Sequence, residues 1–231
     1  HNIRPTEITL QLYANGKPVD GKTITISANN ALNGDLSKWV YTFTDLRKTD
    51  DEGNEIIYTV AEVDNLEANY TVTVGDTTND GSTISQTITN KEKVGQITVT
   101  KRVMNYGADI TSSANGTYYF VIKQGNDGYV SSDGSVKAYK DSTCIYSIQT
   151  GSYDQATYSK TISNLTYGKT YTVIEVDKAG NEIDTSKVNY QITYENQNIL
   201  IDNDNVSGNA TIINTLNTTD KKVYKIWEDS S

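Results

Sequence analysis

Strict alternation of apolar and polar residues in short runs, interrupted by Gly, Asn and Asp, is what most constrains this chain. Such period-two patterning places every second side chain on one face and predicts half-buried β-strands. Glu7-Ile8-Thr9-Leu10-Gln11-Leu12-Tyr13 alternates and ends at Ala14-Asn15-Gly16-Lys17, a hairpin-turn signal. The same reading applies to Lys22–Ser27, Trp39–Phe43, Ile56–Val63, Tyr70–Val74 and Thr83–Thr89. No long amphipathic helix is predicted, and Ala31–Lys38 has room for a single helical turn at most. Regular short strands of this kind predict an all-β chain of antiparallel sandwiches.

The length of 231 residues suffices for two domains, each with its own core. Apolar residues make up 35% and charged residues 21%, which suits thin sandwiches with much exposed surface. The net charge of −9 and the lack of a basic cluster argue against nucleic acid as a partner. No run approaches the length of a membrane span. With one cysteine, Cys144, an intrachain disulfide framework is excluded. Cys144 sits in an alternating stretch and is expected to be a small buried hydrophobe. An extracellular protein of this type needs another source of mechanical strength.

The pattern restarts near Asn90–Gly95, and the two halves share a phrase. Tyr58-Thr59-Val60-Ala61-Glu62-Val63-Asp64 is matched by Tyr171-Thr172-Val173-Ile174-Glu175-Val176-Asp177. Each phrase is followed by a similar strand, at Asn69–Thr73 and Asn189–Thr193. Each half closes on Thr-Ile-x-Asn, ending at Asn90 and Asn214. The boundaries expected are 1–92 for a first domain, 93–219 for a second with longer loops, and 220–231 for the first strand of a further one. Within the phrase, the Glu shares a strand face with a Tyr and a Val. An ionised carboxylate on an inward face must be paired or become protonated, because burying it alone costs several kcal/mol. A solvent-facing strand would explain a single such Glu; two in the same phrase favour a buried role.

These residues resemble the Cna B-type repeat, a module of Gram-positive adhesin and pilin stalks. Its first strand carries Val-x-Lys, often followed by x-Trp; a middle strand carries the Glu; the last strand carries Thr-Ile-x-Asn. The resemblance spans nearly the whole chain and is strongest over residues 1–90 and 222–231. It implies a self-made isopeptide bond between Lys and Asn with the Glu as catalyst. In the second half the implied set is Lys101, Glu175 and Asn214, with Val103 where a Trp is common. Asn217 is a less suitable acceptor, since it lies beyond the Thr-Ile-x-Asn phrase. Independently of the family, a lysine enclosed by apolar groups has its pKa lowered and can act as a neutral nucleophile. A protonated Glu beside it can polarise the carboxamide and move protons as ammonia leaves.

The first half has Glu62 and Asn90 but no lysine in a Val-x-Lys strand before them. Lys17, Lys22, Lys38 and Lys48 fall at turns, a strand edge or loops. Lys222-Val223-Tyr224-Lys225-Ile226-Trp227-Glu228-Asp229 carries the missing pattern at the far end of the sequence. Nine positions separate Asn214 from Val223, a reach of about 32 Å when fully extended. That is short for a return along a whole sandwich. Residues 222–229 are therefore expected to enter the first-half sandwich of a neighbouring copy, bringing Lys225 to Glu62 and Asn90. The alternative is a strand that merely begins another repeat. A head-to-tail contact of this kind builds an open filament.

His1 is the only histidine, so His-based triads and multi-His metal sites are excluded. Asp202–Gly208 starts like a calcium loop but lacks its later acidic ligands and reads as a polar turn. No metal or cofactor is expected. The tyrosines are read as strand formers on half-buried surfaces. The expected function is a structural stalk at the cell wall of a Gram-positive bacterium, with neighbouring copies as partners and any host ligand met through other parts of the protein. The competing reading is an adhesin domain binding host protein or glycan. The insertion at Gly125–Thr143, Gly/Ser/Lys/Asp-rich with isolated tyrosines, gives that reading little support. An enzyme acting on an outside substrate is not expected.

Overall fold

The computed structural model describes residues 4–153, 158–217 and 223–226. The chain divides into two compact units, Asn2–Lys93 and Val94–Ser231. Both are built from strands, with only short 3-10 turns such as Ala28–Asn30 between them.

The first unit contains β1 (Glu7–Ala14), β2 (Lys17–Ser27), β3 (Ala31–Leu32), β4 (Asp35–Trp39), β5 (Tyr58–Glu62), β6 (Tyr70–Val74), β7 (Thr78–Asn79), β8 (Ile84–Ser85) and β9 (Ile88–Glu92). Strand β1 lies between β2 and β5, and β6 pairs with β9. The β1–β2 turn is Asn15-Gly16, both residues at positive φ, which Gly and Asn tolerate best. Two expected strands are shorter than the alternation suggests. Of the run Trp39–Phe43 only Trp39 is in a strand, and the Val40 amide makes one further contact in register, to the Asn30 carbonyl. Thr83–Thr89 is split at Gln86, whose Oε1 accepts from the Val60 amide. The helical turn allowed for Ala31–Lys38 is instead the β3–β4 hairpin, and the 3-10 turn precedes it. Among the described residues, Leu12, Ile26 and Tyr70 are the buried apolar side chains of this unit; Leu36, Val40, Ile57, Val63 and Val74 are exposed.

The second unit contains β10 (Val94–Asn105), β11 (Ala108–Asp109), β12 (Gly116–Gln124), β13 (Gly128–Val130), β14 (Val136–Lys137), β15 (Tyr146–Thr150), β16 (Ser159–Thr166), β17 (Lys169–Val176), β18 (Tyr190–Glu195), β19 (Asn198–Ile201) and β20 (Ser207–Leu216). One sheet is built around β10 and β20, with β18, β16 and β11 beside them; the other runs β14-β13-β12-β17-β19, with β15 also on β12. Their inner faces share one core, including Ile97, Val99 and Ile212 from the first sheet and Phe120, Ile122 and Val173 from the second. Cys144 is wholly buried at its edge.

The sandwich is antiparallel except at one place. Strands β10 and β20, the first and last long strands of the unit, run parallel, with Lys101 opposite Ile212 and Val103 opposite Asn214. Two glycines permit close approach at the end of this pair. A Cβ on Gly95 would lie 2.4 Å from Ile201 Cγ2, and one on Gly208 would lie 2.4 Å from Ile199 Cγ2. An alanine at Gly208 must therefore push β19 outward, and the expected outcome of Gly208→Ala is a loss of about 1–3 kcal/mol, read by urea denaturation.

Candidate cross-linking site

Alternation along β10 buries Gly95, Ile97, Val99, Lys101 and Val103 in turn. A lysine thus occupies a position that the pattern assigns to the core. On β20 the buried series is Gly208, Ala210, Ile212 and Asn214. The parallel register places Asn214 two residues beyond the partner of Lys101, on the same face. Across the core, β17 contributes Glu175 next to Val173 and Tyr171. Lys101 and Asn214 are each 1% exposed and Glu175 3%.

The carboxylate joins the other two. Lys101 Nζ donates to Glu175 Oε2 at 3.0 Å. Asn214 Nδ2 donates to Glu175 Oε1 at 3.0 Å, while Asn214 Oδ1 is buried with no hydrogen-bond partner. The Glu175 backbone N–H donates to the Tyr194 hydroxyl at 3.0 Å, which fixes the strand from the opposite sheet. Burial lowers the Lys101 pKa from its usual value to about 8, against the opposing pull of Glu175. Moving one proton along the Lys–Glu hydrogen bond gives a neutral amine and a protonated acid. A half-turn of the Asn214 carboxamide would then let that acid donate to the orphaned Oδ1. Asn217, the other acceptor considered, is exposed and its N–H is taken by the Asn189 carbonyl.

The first unit repeats part of this arrangement. Glu62 stands opposite Leu10 on β1 as Glu175 stands opposite Phe120 on β12. Asn90 stands opposite Val72 on β6 as Asn214 stands opposite Ile192 on β18. Asn90 Nδ2 donates to Glu62 Oε1 at 2.7 Å. Glu62 Oε2, the counterpart of the oxygen that receives Lys101, is buried and has no hydrogen-bond partner; Asn90 Oδ1 is likewise orphaned. Burial raises the Glu62 pKa, and the Asn90 hydrogen bond only partly offsets it. Among the described residues β9 pairs with β6 alone, whereas β20 has both β18 and β10. Lys22, Lys38 and Lys48 are engaged elsewhere, with the Thr44 carbonyl, Asp35 and the Gly81 carbonyl.

Of the Val-x-Lys-x-Trp segment, residues 223–226 are described and residues 222 and 227–229 lie outside the described residues. Lys225 is exposed and in no assigned strand. Val223, Tyr224 and Ile226 are 76%, 73% and 81% exposed. Two residues at the second site are not singled out by sequence reasoning. Tyr194 and Tyr118 both touch the triad, but tyrosines in alternating strands read simply as strand formers.

Among the described residues no group of three or more His, Cys, Asp or Glu could hold a metal ion, and no helix is long and apolar enough to cross a membrane. Asp202 Oδ1 accepts from the amides of Asp204 and Asn205, so that stretch is a turn.

The sequence of residues 1–91 matches the Cna protein B-type domain. Comparison with curated protein sequences gives no match. Among solved structures, the chain is similar to a single B repeat unit of the collagen-binding surface protein of Staphylococcus aureus, at 22% identity and a TM-score of 0.33, covering 93% of this chain and 89% of that one. It is also similar to a major pilin of Streptococcus pyogenes, at 14% identity, a TM-score of 0.38, and 91% and 90% coverage. The minor pilin of Streptococcus agalactiae matches at 16% identity and a TM-score of 0.36, over 96% of this chain and 88% of that one.

Proposed function

We propose that this chain is a structural spacer of a Gram-positive surface adhesin or pilus, cross-linked by its own side chains. The observation that carries the reading is buried Glu175 bridging buried Lys101 and Asn214. The neutral Lys101 amine attacks Asn214 Cγ, forming the Nζ–Cγ bond. The Cγ–Nδ2 bond then breaks, and Nδ2 departs as ammonia, taking up the proton that the amine gives up through Glu175. Atoms balance as amine plus carboxamide giving secondary amide plus ammonia. Fixed placement of the two partners supplies the effective molarity that an unassisted amine and amide lack.

Intact mass tests this directly. The folded chain is expected to be lighter than its sequence by one ammonia for each bond, and Lys101→Ala is expected to retain the Lys101–Asn214 ammonia. A full-sequence mass for the wild-type chain sinks the proposal. The rate carries a pH signature. The reactive pair of neutral amine and protonated acid holds as many protons as the ion pair, so the rate of ammonia loss should be level below about 8 and fall about tenfold per pH unit above it.

The first unit is proposed to take its missing partner from another copy. The reading is supported by Glu62 Oε2, buried without a hydrogen-bond partner, and by β9, which pairs only with β6 among the described residues. A strand added to that edge in the β10–β20 register would set its lysine opposite Ile88, two residues before Asn90. Residues 222–229 of a neighbouring chain fit, with Lys225 as the lysine and the exposed Val223 on the same strand face two positions earlier. Lys225 and Asn90 would then bond across chains with Glu62 as the proton carrier. Denaturing electrophoresis should show a ladder of multimers that both Lys225→Ala and Asn90→Ala abolish. A monomer band alone at high protein concentration counts against it.

A further inference from the structure

The amine of Lys101 has a neighbour that the proton chemistry does not use. Its Nζ sits over the ring of Tyr118, 4.5 Å from the centroid. Tyr118 is on β12, two residues before Phe120, the strand partner of Glu175. Residues two apart on a strand share a face, so Tyr118, Phe120 and Glu175 look into the same space. The Tyr118 hydroxyl has Thr150, a fully buried residue of β15, as its hydrogen-bonding neighbour. Tyr118 also helps to line a cleft of about 460 Å³, together with Glu175, Tyr190 and residues of the Asp177–Val188 segment. Tyr118 therefore touches both the reacting amine and a cleft that Glu175 also lines.

We propose that Tyr118 is a positioning residue for the cross-link: its π face holds the Lys101 amine in place for attack on Asn214 and keeps it from turning into the cleft. A long, unbranched side chain has many rotamers, and a single hydrogen bond to Glu175 leaves it free to swing about that contact. A ring on the second side removes this freedom. An aromatic face attracts the ammonium more than the amine, so the ring also favours the protonated form before reaction. The titratable groups of the site are Glu175 from β17 and Tyr118 from β12, which contact the amine, and Tyr190 and Tyr194 from β18, which face Glu175. Glu175 attracts the ammonium as well, so removing the ring weakens one of two attractions and leaves the other. The first unit has Ile8 at the place equivalent to Tyr118, two residues before Leu10 on β1, so this device belongs to the second unit.

The inference rests on the Lys101–Asn214 reading, and the experiment separates the two. The full chain is collected unfolded before reaction, refolded by dilution over a range of pH, and sampled by intact mass. The same is done for Tyr118→Phe and Tyr118→Leu, with folding checked by circular dichroism. The expected plateau rate for Tyr118→Leu is about tenfold below wild type, because the amine loses its placement. Its pH midpoint should move down by about half a unit or more, since the ammonium loses the π face. Tyr118→Phe keeps the ring and should keep both the rate and the midpoint. A merely packing role would leave the midpoint or raise it, since a smaller side chain lets water reach the amine. A folded Leu variant with wild-type rate and midpoint overturns the proposal. So does a Phe variant that loses either, which assigns the effect to the hydroxyl and decides the matter even if the Leu variant fails to fold. A wild-type chain that loses no ammonia overturns the reading beneath it instead.

Discussion

Glu175→Gln is expected to fold and to stop shedding ammonia on the time scale at which the wild-type chain completes the reaction. The substitution keeps the shape of the side chain and one acceptor oxygen for Lys101, while its amide can donate to Asn214 Oδ1 once that carboxamide turns. What it removes is the proton carrier. A glutamine can neither accept the amine proton nor hand one to departing ammonia. Positioned acid–base groups contribute about 10² to 10⁴ in rate, and here one carboxylate serves both partners. The variant should therefore run at full sequence mass for the Lys101–Asn214 bond when intact mass is recorded after refolding. Ammonia loss at the wild-type rate would mean that proximity alone drives the bond and that Glu175 is a structural ion-pair partner.

The second large effect is on stability. Lys101→Met keeps an unbranched chain of similar bulk in the buried position but cannot form the link. The link closes a loop of roughly 110 residues between positions 101 and 214, and a cross-link over about 100 residues is worth about 4.7 kcal/mol in the chain-entropy account. A unit of about 130 residues unfolds with an entropy near 0.27 kcal/mol/K, so the melting temperature should fall by about 15–20 °C. The orphaned Glu175 carboxylate adds to the loss, because a buried charge stripped of its partner is costly. Calorimetry on the purified chains measures it. A shift of only a few degrees would show that the link adds little to the thermal stability of the unit.

The residues of the second site can be read from sequence because each breaks a local rule. A lysine, a glutamate and an asparagine stand at positions where period-two alternation demands apolar groups, and the repeated phrase shows that the breach is not accidental. Tyr118 breaks no rule: a tyrosine in an alternating strand satisfies β-propensity and packing at once, so its place over the amine becomes visible only in three dimensions. The parallel pairing of β10 with β20 is hidden for a different reason. The two strands are more than a hundred residues apart, and alternation specifies which face a residue takes but not which strand lies beside it. The shortened strands of the first unit have local causes, such as the Gln86 side chain standing in for a backbone acceptor at Val60. Period-two patterning cannot register a side chain that replaces a ladder contact.

The parallel β10–β20 pair has a mechanical meaning. Tension applied along the chain enters the second unit on β10 and leaves on β20, so it meets the two strands in shear, with their hydrogen bonds loaded together rather than one after another. A covalent bond from Lys101 to Asn214 would carry that tension across the pair directly. The intervening residues, about 110 of them, would then stay slack at any force that leaves the bond intact. They amount to roughly 370–400 Å of contour length that could not be drawn out. A tether with such a shunt would be almost inextensible at this unit.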